Sequence, residues 1–444
     1  MTEAKPARPG IGAAIAAAEA RKRRSLLRGH GGGHAPVTNL ELFFDLVFVF
    51  AVTQLSHSLM AELTLLGALR TAVLFGAVWW AWMWTTWATN WIDPDKAEVR
   101  LLLGALMLLS LTMAAAIPQG FGDGALLFAA AYVSIQVLRT AFVSWAQGRE
   151  QAGAGRNMLR AVVWFLAAAP FWIGGALSGN PGVQLGLWLA ALAIEYTAPL
   201  VFLRVPGLGR STAADWVISG SHMAERCSLF IIIALGEGLV VTGAAYSLAP
   251  PQPLLDTALV TAFAGSFLMW WLYFDMGARR GAQHIQNHAA PGLIGRQAFT
   301  YWHIPIVAGI VVLAVADELV LAHPSEPLHT ELLAIVLVGT TLFLGGLAGF
   351  KRISSGNSWF PASHAYGLYA LVPLGLWGWL GHPTGLAFYG AVITMFGAVA
   401  VWEWGSFNGG WMERMERRGW RLGKLLRREL ERRRERRLAR EARR

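Results

Sequence analysis

Glu237 lies between Gly236 and Gly238, near the middle of a long apolar stretch. A charged side chain at that depth in hydrocarbon costs roughly 2.5–3.5 kcal/mol on insertion scales, so it needs a partner, water or a proton. Glycines weaken a helix, and broken helices at mid-depth are where transporters bind ions. The pattern predicts an ion- or proton-binding carboxylate; the structural alternative is a protonated glutamate bonded to a neighbouring helix.

The same stretch opens with the pair Glu225 and Arg226. Arg226 and Glu237 share one helical face and are 11 residues apart, or ~16 Å at 1.5 Å per residue. We therefore expect one helix to carry charges both near its start and near mid-membrane.

A second polar helix is predicted where the first apolar stretch begins. Glu41 and Asp45 are four residues apart and share one face, whereas Gln54 and His57 lie on nearly the opposite side. The functional interpretation makes Glu41 and Asp45 an inner gate at the cytoplasmic mouth of a pathway. The alternative is a helix-start cap with interhelical hydrogen bonds.

Other polar residues inside apolar stretches are Arg139, Glu195, Asp275 and His303. Arg139 is predicted to compensate charge by pairing with Glu195 or with Glu237, although such a pair is weak evidence for function. Asp275 is placed near the cytoplasmic face. A further carboxylate, Glu403, is expected to be interfacial.

Four tryptophans of the second stretch form one helical stripe, which favours packing or interfacial anchoring over ligand stacking: Trp80, Trp84, Trp87 and Trp91. Two histidine pairs have suggestive spacing but too few ligands for zinc: His284 with His288, and His30 with His34. No Walker loop, zincin motif or nucleophile elbow is present. We predict neither a metal nor a cofactor.

The elements that position these residues are predicted to be membrane-spanning helices. The chain is 55% hydrophobic and 14% charged, with a mean hydropathy of +0.45. A spanning helix needs ~20 apolar residues. Twelve such stretches are predicted, at 42–63, 67–91, 100–119, 124–147, 158–178, 182–203, 227–247, 254–277, 297–316, 331–350, 360–380 and 385–405. The predicted fold class is an all-α, polytopic integral membrane protein.

The distribution of charge predicts the orientation. Residues 411–444 hold 15 basic against 6 acidic residues, and residues 1–38 hold 7 against 2. Basic residues also follow the even-numbered stretches: Lys96, Arg100, Arg149, Arg156, Arg160, Arg204, Arg210, Arg279, Arg280, Arg296, Lys351 and Arg352. The positive-inside rule places both termini in the cytoplasm.

The basic C-terminal tail is expected to be helical and to lie near anionic lipid head groups. A coiled-coil or partner contact is an alternative, and no nucleic-acid partner is expected because no such motif accompanies the charge. The other expected partners are the lipid bilayer, a small polar solute or ion, and a second copy of the chain in a homo-oligomer. The expected location is the bacterial inner membrane.

Six stretches precede a central loop and six follow it, which is compatible with two parallel repeats. Residues 50–54 are similar to residues 233–237, and Trp79–Trp82 to Trp270–Tyr273. The predicted organisation is a disordered basic tail (1–38), a first six-helix half (39–204), a cytoplasmic linker (205–221), a second half (222–406) and a helical basic tail (407–444).

Three motifs carry a resemblance to a known family. Thr38–Ala51 resembles the opening motif of the bacterial low temperature requirement A (LtrA) family, Glu225–Glu237 resembles its second hallmark, and Trp271–Asp275 its third. The polar positions that match are Glu41, Asp45, Glu225, Arg226, Gly236, Glu237 and Asp275. The resemblance covers roughly residues 36–405 and implies a polytopic bacterial membrane protein linked by name to growth in the cold. It implies no settled biochemical activity.

The leading hypothesis is a secondary transporter coupled to protons or cations, in which Glu237 carries the coupling ion. The first alternative is an ion channel. The second is a membrane enzyme acting on lipid or an isoprenoid, which needs Glu41, Asp45, Glu225, Asp275 and His303 to converge; enzymatic activity is the less favoured interpretation. The third is a sensor or scaffold that responds to the state of the membrane.

Overall fold

The structure is a computed structural model that describes residues 25–28, 36–212, 215–216, 218–275, 291–355, 360–407, 419, 428 and 432. Twelve long helices occupy these residues: α1 (Asn39–Ala61), α2 (Leu65–Trp91), α3 (Ala97–Ala115), α4 (Ala125–Gly148), α5 (Ala152–Leu177), α6 (Pro181–Thr197), α7 (Gly220–Leu248), α8 (Leu255–Phe274), α9 (His303–Ala322), α10 (Thr330–Ser355), α11 (Ala362–Gly381) and α12 (Gly385–Phe407). The all-α fold class is confirmed, because the described residues form helices and no strands.

Local sequence explains where several helices begin. The side chain of Thr38 accepts from the amide of Glu41, and Glu41 bonds back to the amide of Thr38, which completes a capping box at α1. Thr64 caps α2 through the amide of Gly67. Asn180 caps α6 and is followed by a proline at the first helical position.

Ten of the described helices are long and apolar enough to cross a membrane, which confirms a polytopic membrane protein. The two long helices outside that set are α6, which has 17 residues, and α11. Large apolar side chains such as Leu101 and Leu108 are exposed along the helices and fit a lipid environment. The count of twelve spans and the cytoplasmic termini stay predictions.

The chain divides into two compact units. The first contains residues 1–237 and 285–304, and the second contains residues 238–284 and 305–444. The boundaries therefore fall inside α7 and α9 rather than at the loop between the predicted halves. Whether the two six-helix halves are repeats, and where the predicted domains begin, stay predictions; most of both basic tails lies outside the described residues.

In the first unit, aromatic residues of α2 form the core. Trp79, Trp80 and Trp82 are at most 1% exposed. The predicted stripe of tryptophans is therefore buried within the protein along its whole length, since Trp84, Trp87 and Trp91 are also buried. Packing, rather than anchoring at the lipid interface, explains these side chains.

In the second unit, glycines let α9 and α10 approach each other closely. A Cβ added to Gly309 would lie 2.6 Å from the backbone nitrogen of Phe343, and one added to Gly346 would lie 2.8 Å from the nitrogen of Ile306. Small residues at such crossings are typical of helix pairs in membranes, where backbone packing replaces hydrophobic association.

The two glycines beside Glu237 weaken the prediction of a regular helix, but they do not break α7. The helix continues without a break through Gly236, Glu237 and Gly238, and a Cβ added to Gly236 would meet nothing within 4 Å. The irregular backbone occurs instead at 296–301, where a π-helical turn leads into α9. Such turns occur frequently at functional sites because they redirect side chains within a helix.

Candidate functional site

Polar side chains of α1 and α7 face each other along a line that we call the polar seam. It consists of Glu41, Asp45 and Thr53 of α1 with His222, Arg226 and Glu237 of α7. Glu41, Asp45 and Thr53 recur at intervals of four and eight residues, so they share one helical face. All six belong to the first compact unit.

Glu41 anchors the end of the seam at the start of α1. Its side chain is 0% exposed and accepts from His222 Nε2 at 2.8 Å and from Arg28 Nη2 at 3.1 Å. The same carboxylate accepts from the backbone amide of Thr38 at 2.8 Å. Glu41 is thus both a helix cap and an interhelical ion-pair partner, and the segment before α1 is held against it through Arg28.

His222 is oriented by a residue of α2. Its Nδ1 lies 3.1 Å from Asn90 Nδ2, while its Nε2 faces Glu41. Because the Asn90 amide nitrogen is a donor, Nδ1 accepts and the hydrogen of the neutral ring resides on Nε2, where it is donated to Glu41. The amide oxygen of Asn90 accepts from the backbone nitrogen of Ser219 at 3.0 Å, which fixes the amide orientation.

One turn further along α1, Asp45 pairs with Arg226. Arg226 Nη2 lies 2.6 Å from Asp45 Oδ1, and the indole nitrogen of Trp82 donates to the same oxygen at 2.7 Å. Both charged residues are 0% exposed, and the guanidinium lies 5.8 Å from the centre of the Trp82 ring. The ion pair therefore joins α1 to α7 against the aromatic core of α2.

The pair leaves several buried polar atoms unbonded among the described residues. Asp45 Oδ2 accepts no hydrogen bond, and Arg226 Nε and Nη1 donate none. Arg226 Nη1 lies 3.7 Å from Glu41 Oε1, which is an electrostatic contact rather than a hydrogen bond. Buried polar groups are ordinarily bonded, so these unbonded atoms make the ion pair an exception among buried polar groups.

The other end of the seam is the contact between Thr53 and Glu237. The Thr53 hydroxyl bonds to Glu237 Oε1 and lies 3.1 Å from the carbonyl oxygen of Val49. A hydroxyl has one hydrogen, so it donates to Glu237 when that carboxylate is charged. When Glu237 is protonated, it donates to Thr53, whose hydrogen then goes to Val49. The geometry satisfies both protonation states of Glu237.

Aromatic side chains separate the two ends of the seam. Phe230 lies between Arg226 and Glu237 on the same face of α7. The centre of its ring is 4.2 Å from the ring centre of Trp82 and 5.7 Å from that of Trp79. Phe48 is also 0% exposed and lies between Asp45 and Thr53 along α1. Apolar side chains therefore lie between the ionic end of the seam and Glu237.

Other predicted residues lie beside the seam or away from it. Glu225 is half-buried and accepts from the amide of Val37 at 3.3 Å, just before α1. His303 is 1% exposed, with Nδ1 at 2.8 Å from the carbonyl oxygen of Ala298. Gln54 is half-buried and His57 is exposed, so His57 points away from the protein interior.

The predicted pairing of Arg139 with Glu195 or Glu237 is wrong. Among the described residues, Arg139 makes no ion pair; it bonds to Gln136 and to the carbonyl oxygen of Ala81. Glu195 accepts instead from Tyr132 and, at 2.9 Å, from Trp172. Gln136 also bonds to Tyr132, so a chain of neutral groups links the two charges.

In the second unit, the structure brings together an ion pair that the sequence reading missed. The predicted loop position of Lys351 is wrong, whereas the interfacial depth of Glu403 stays a prediction. Lys351 lies inside α10, 6% exposed, with Nζ at 2.6 and 2.7 Å from the carboxylate oxygens of Glu403 on α12. Nζ also donates to the carbonyl oxygen of Leu272 at 2.8 Å, at the end of α8.

Asp275 directly follows α8 and is half-buried. It belongs to the second unit and is close enough to Lys351 and Glu403 to act on both electrostatically. The histidine pairs at 284 and 288 and at 30 and 34 lie outside the described residues. Within the described part of the chain, no group of three or more potential metal ligands occurs.

Comparison with known proteins places these motifs in one family. The family model for the bacterial low temperature requirement A protein (LtrA) matches residues 36–401. A protein of Rhizobium meliloti (strain 1021), itself described as uncharacterized, is 39% identical over 372 residues, which cover 82% of this chain and 88% of the relative. No solved structure matches the chain.

Proposed function

The chain belongs to the bacterial low temperature requirement A family, and we propose that it is a secondary transporter coupled to protons or cations, with the polar seam as its coupling site. The observation that carries the proposal is the Thr53–Glu237 contact, in which the hydroxyl can donate to a carboxylate or accept from a carboxylic acid. A group that exchanges a proton without losing its hydrogen bonds is suited to carry the coupling ion.

The ionic end of the seam supports the same role. With a neutral His222, Glu41 and Asp45 are balanced by Arg28 and Arg226, so the cluster has no net charge. A proton or a metal cation that binds at Asp45 Oδ2 competes with Arg226 for the carboxylate. Release of Arg226 would separate α1 from α7 because their ion pair joins the two helices.

The apolar layer between the ends of the seam favours alternating access over a permanently open pore. Phe230, which packs on Trp82, lies between Arg226 and Glu237 along α7. In the proposed cycle, ion binding at one end loosens the α1–α7 contact and lets the layer open. A channel remains the alternative, and a turnover far above ~10³ per second would favour it, since that rate exceeds typical enzyme turnover.

The surroundings of the transporter follow from its charge. We propose that it lies in the bacterial cytoplasmic membrane with both basic tails on the cytoplasmic side. The tail at 411–444, with 15 basic and 6 acidic residues, would then contact anionic head groups. The solute is proposed to be small and polar, and a homo-oligomer is compatible with the exposed apolar helix faces.

Glu237→Gln is expected to abolish ion-coupled flux, because glutamine keeps a hydrogen bond to Thr53 but cannot exchange a proton. The measurement is the flux of H⁺, Na⁺ and K⁺ into proteoliposomes, each under a gradient of that ion. The matched control is Glu98→Gln, at an exposed glutamate in the first turn of α3, which should leave flux unchanged. Flux that is equal in Glu237→Gln and wild type would remove Glu237 from the mechanism.

A further inference from the structure

Residues 25–28 form a short segment ahead of α1 that packs on the first unit, and we call it the strap. Within it, Leu27 forms an antiparallel bridge with Ile92, which directly follows α2. Two backbone hydrogen bonds flank the bridge: the amide of Arg28 donates to the carbonyl oxygen of Trp91 at 2.8 Å, and the amide of Asp93 donates to that of Leu26 at 2.9 Å. The strap is therefore fixed to the end of α2.

Side chains of the strap add contacts with the rest of the unit. Leu26 is 8% exposed, so it is packed among other residues. The Ser25 hydroxyl donates to the carboxylate of Glu150, in the turn that follows α4. Because it contacts the end of α2, the start of α1 and the turn after α4, the strap is a positioned part of the first unit.

Arg28 of the strap lies between the ionic end of the polar seam and solvent. Its Nη2 is 3.1 Å from Glu41 Oε2, and its side chain is 12% exposed. The side chains behind it are all 0% exposed: Glu41, Asp45, His222 and Arg226. Arg28 is thus the outermost member of this cluster, and the strap covers the others.

The contact between the strap and Glu41 can be released without disturbing α1. Glu41 would keep its bonds to the amide of Thr38 and to His222. Arg28 makes one hydrogen bond to this carboxylate, and its buried Nη1 has no partner among the described residues. The contact therefore lacks the second bond of the bidentate pairs that arginine often forms with a carboxylate.

We propose that the strap is a gate at the ionic end of the polar seam. When bound, it seals Glu41 and His222 from water, and when released, it opens this end of the seam. The role as a gate rests on the proposed transport function, whereas the seal over His222 does not depend on transport.

Arg28→Gln tests the seal, with diethyl pyrocarbonate as the probe of each histidine and mass spectrometry of the purified protein in detergent as the readout. His222 should react about tenfold faster than in the wild type, because losing one charge-assisted hydrogen bond shifts a local opening equilibrium by about that factor. The exposed His329 calibrates the reagent, and the buried His364 of the second unit should stay slow. Arg100→Gln, at an exposed ion pair, should leave all three rates unchanged.

Leu26→Ser is a second variant, for use if a fast reaction of His364 shows that Arg28→Gln unfolds the protein. It weakens the packing of the strap and leaves the partners of Glu41 in place. It should also accelerate the reaction of His222 and not that of His364.

A disulfide between Leu27→Cys and Ile92→Cys should lock the strap. The two hydrogen bonds flank this pair rather than join it, and such pairs have Cα atoms about 4.5 Å apart, inside the range of about 4.4–6.8 Å found in disulfides. The lock is built with Cys227→Ala and Arg28→Gln. When it is oxidised, His222 should react as slowly as in the wild type, and reduction should restore the fast reaction. In proteoliposomes, the oxidised lock without Arg28→Gln should stop ion flux reversibly.

Equal His222 rates in the wild type, Arg28→Gln and Leu26→Ser, with His364 still protected, would overturn the proposal. So would a fast reaction of His222 that the oxidised lock does not slow, or equal flux through the oxidised and reduced locks. Absence of flux in the wild type would contradict the proposed function and with it the gate, while the His222 rates would still decide whether the strap seals the seam.

Discussion

Replacing Arg226 with glutamine should lower the free energy of unfolding by about 3–5 kcal/mol, the usual cost of removing one partner from a buried ion pair. Arg226 lies 2.6 Å from Asp45, and both are fully buried. Without the guanidinium, Asp45 keeps only the hydrogen bond from the Trp82 indole and has no counter-charge, while Glu41 keeps Arg28 and His222. We expect a large decrease in the unfolding temperature measured in detergent or nanodiscs.

The double variant Arg226→Gln/Asp45→Asn separates charge from packing. It removes both members of the pair, so most of the lost stability should return, whereas coupled flux should not. Arg100→Gln is the matched control: its salt bridge with Asp95 is at 3.2 Å, but both side chains are more than half exposed. Exposed pairs contribute little. An Arg226→Gln variant as stable as Arg100→Gln would show that the seam is not held by this pair.

The second large effect is expected in the other unit, for Lys351→Met. The substitution leaves Glu403 buried without its partner and the carbonyl oxygen of Leu272 without its donor. Breaking a buried pair in this way costs about 3–5 kcal/mol. The unfolding temperature should fall strongly in detergent or nanodiscs.

Adding Glu403→Leu to Lys351→Met should recover most of that loss, since an apolar replacement of both partners is often neutral or stabilising. The neighbouring cation Arg352 serves as the control. It is half-buried and lies 4.9 Å from the ring of Phe360, so Arg352→Met should have a small effect. If Lys351→Met and Arg352→Met have the same unfolding temperature, the ion pair with Glu403 does not stabilise the fold.

The helical faces of the polar seam could be predicted from the sequence, but not their pairing. The four-residue spacing of Glu41 and Asp45, and the common face of Arg226 and Glu237, follow from helix geometry alone. Which helices meet does not, because the partners lie 181 residues apart in the chain. For the same reason Arg139 was assigned to the wrong carboxylates, although its burial was anticipated.

Lys351 shows that helix boundaries are a second limit of prediction from sequence. A lysine at the end of an apolar run is normally a cytoplasmic flank under the positive-inside rule. Here α10 continues to Ser355, so Lys351 lies within the helix, and its partner is 52 residues away. A helix boundary that shifts by five residues therefore turns a loop cation into a member of a buried ion pair, and hydropathy alone does not resolve such a shift.

Neutral polar residues were the hardest to recognise. Thr53 bonds to Glu237 and Tyr132 bonds to Glu195. Threonine and aromatic residues are nevertheless common in membrane helices for packing alone. The glycines at 236 and 238 suggest a weakened helix, yet α7 is continuous there. A helix tolerates glycines when tertiary packing outweighs intrinsic propensity. The bonds of Thr53 and Tyr132 to buried carboxylates distinguish them from residues that only pack, and the sequence does not show those bonds.

Coupled transport through the seam requires a polar route that reaches Glu237, and cysteine accessibility tests that route. Cys227, the one cysteine of the chain, is first replaced by alanine. Thr53→Cys then probes the contact with Glu237, and Phe50→Cys, 38% exposed on the same helix, probes the lipid side. A charged, membrane-impermeant thiol reagent should modify the cysteine at 53 from one side of the membrane and leave that at 50 unmodified. If position 53 is as unreactive as position 50 from both sides, and Glu237→Leu transports as well as wild type, the seam is dry packing and the transport proposal is contradicted.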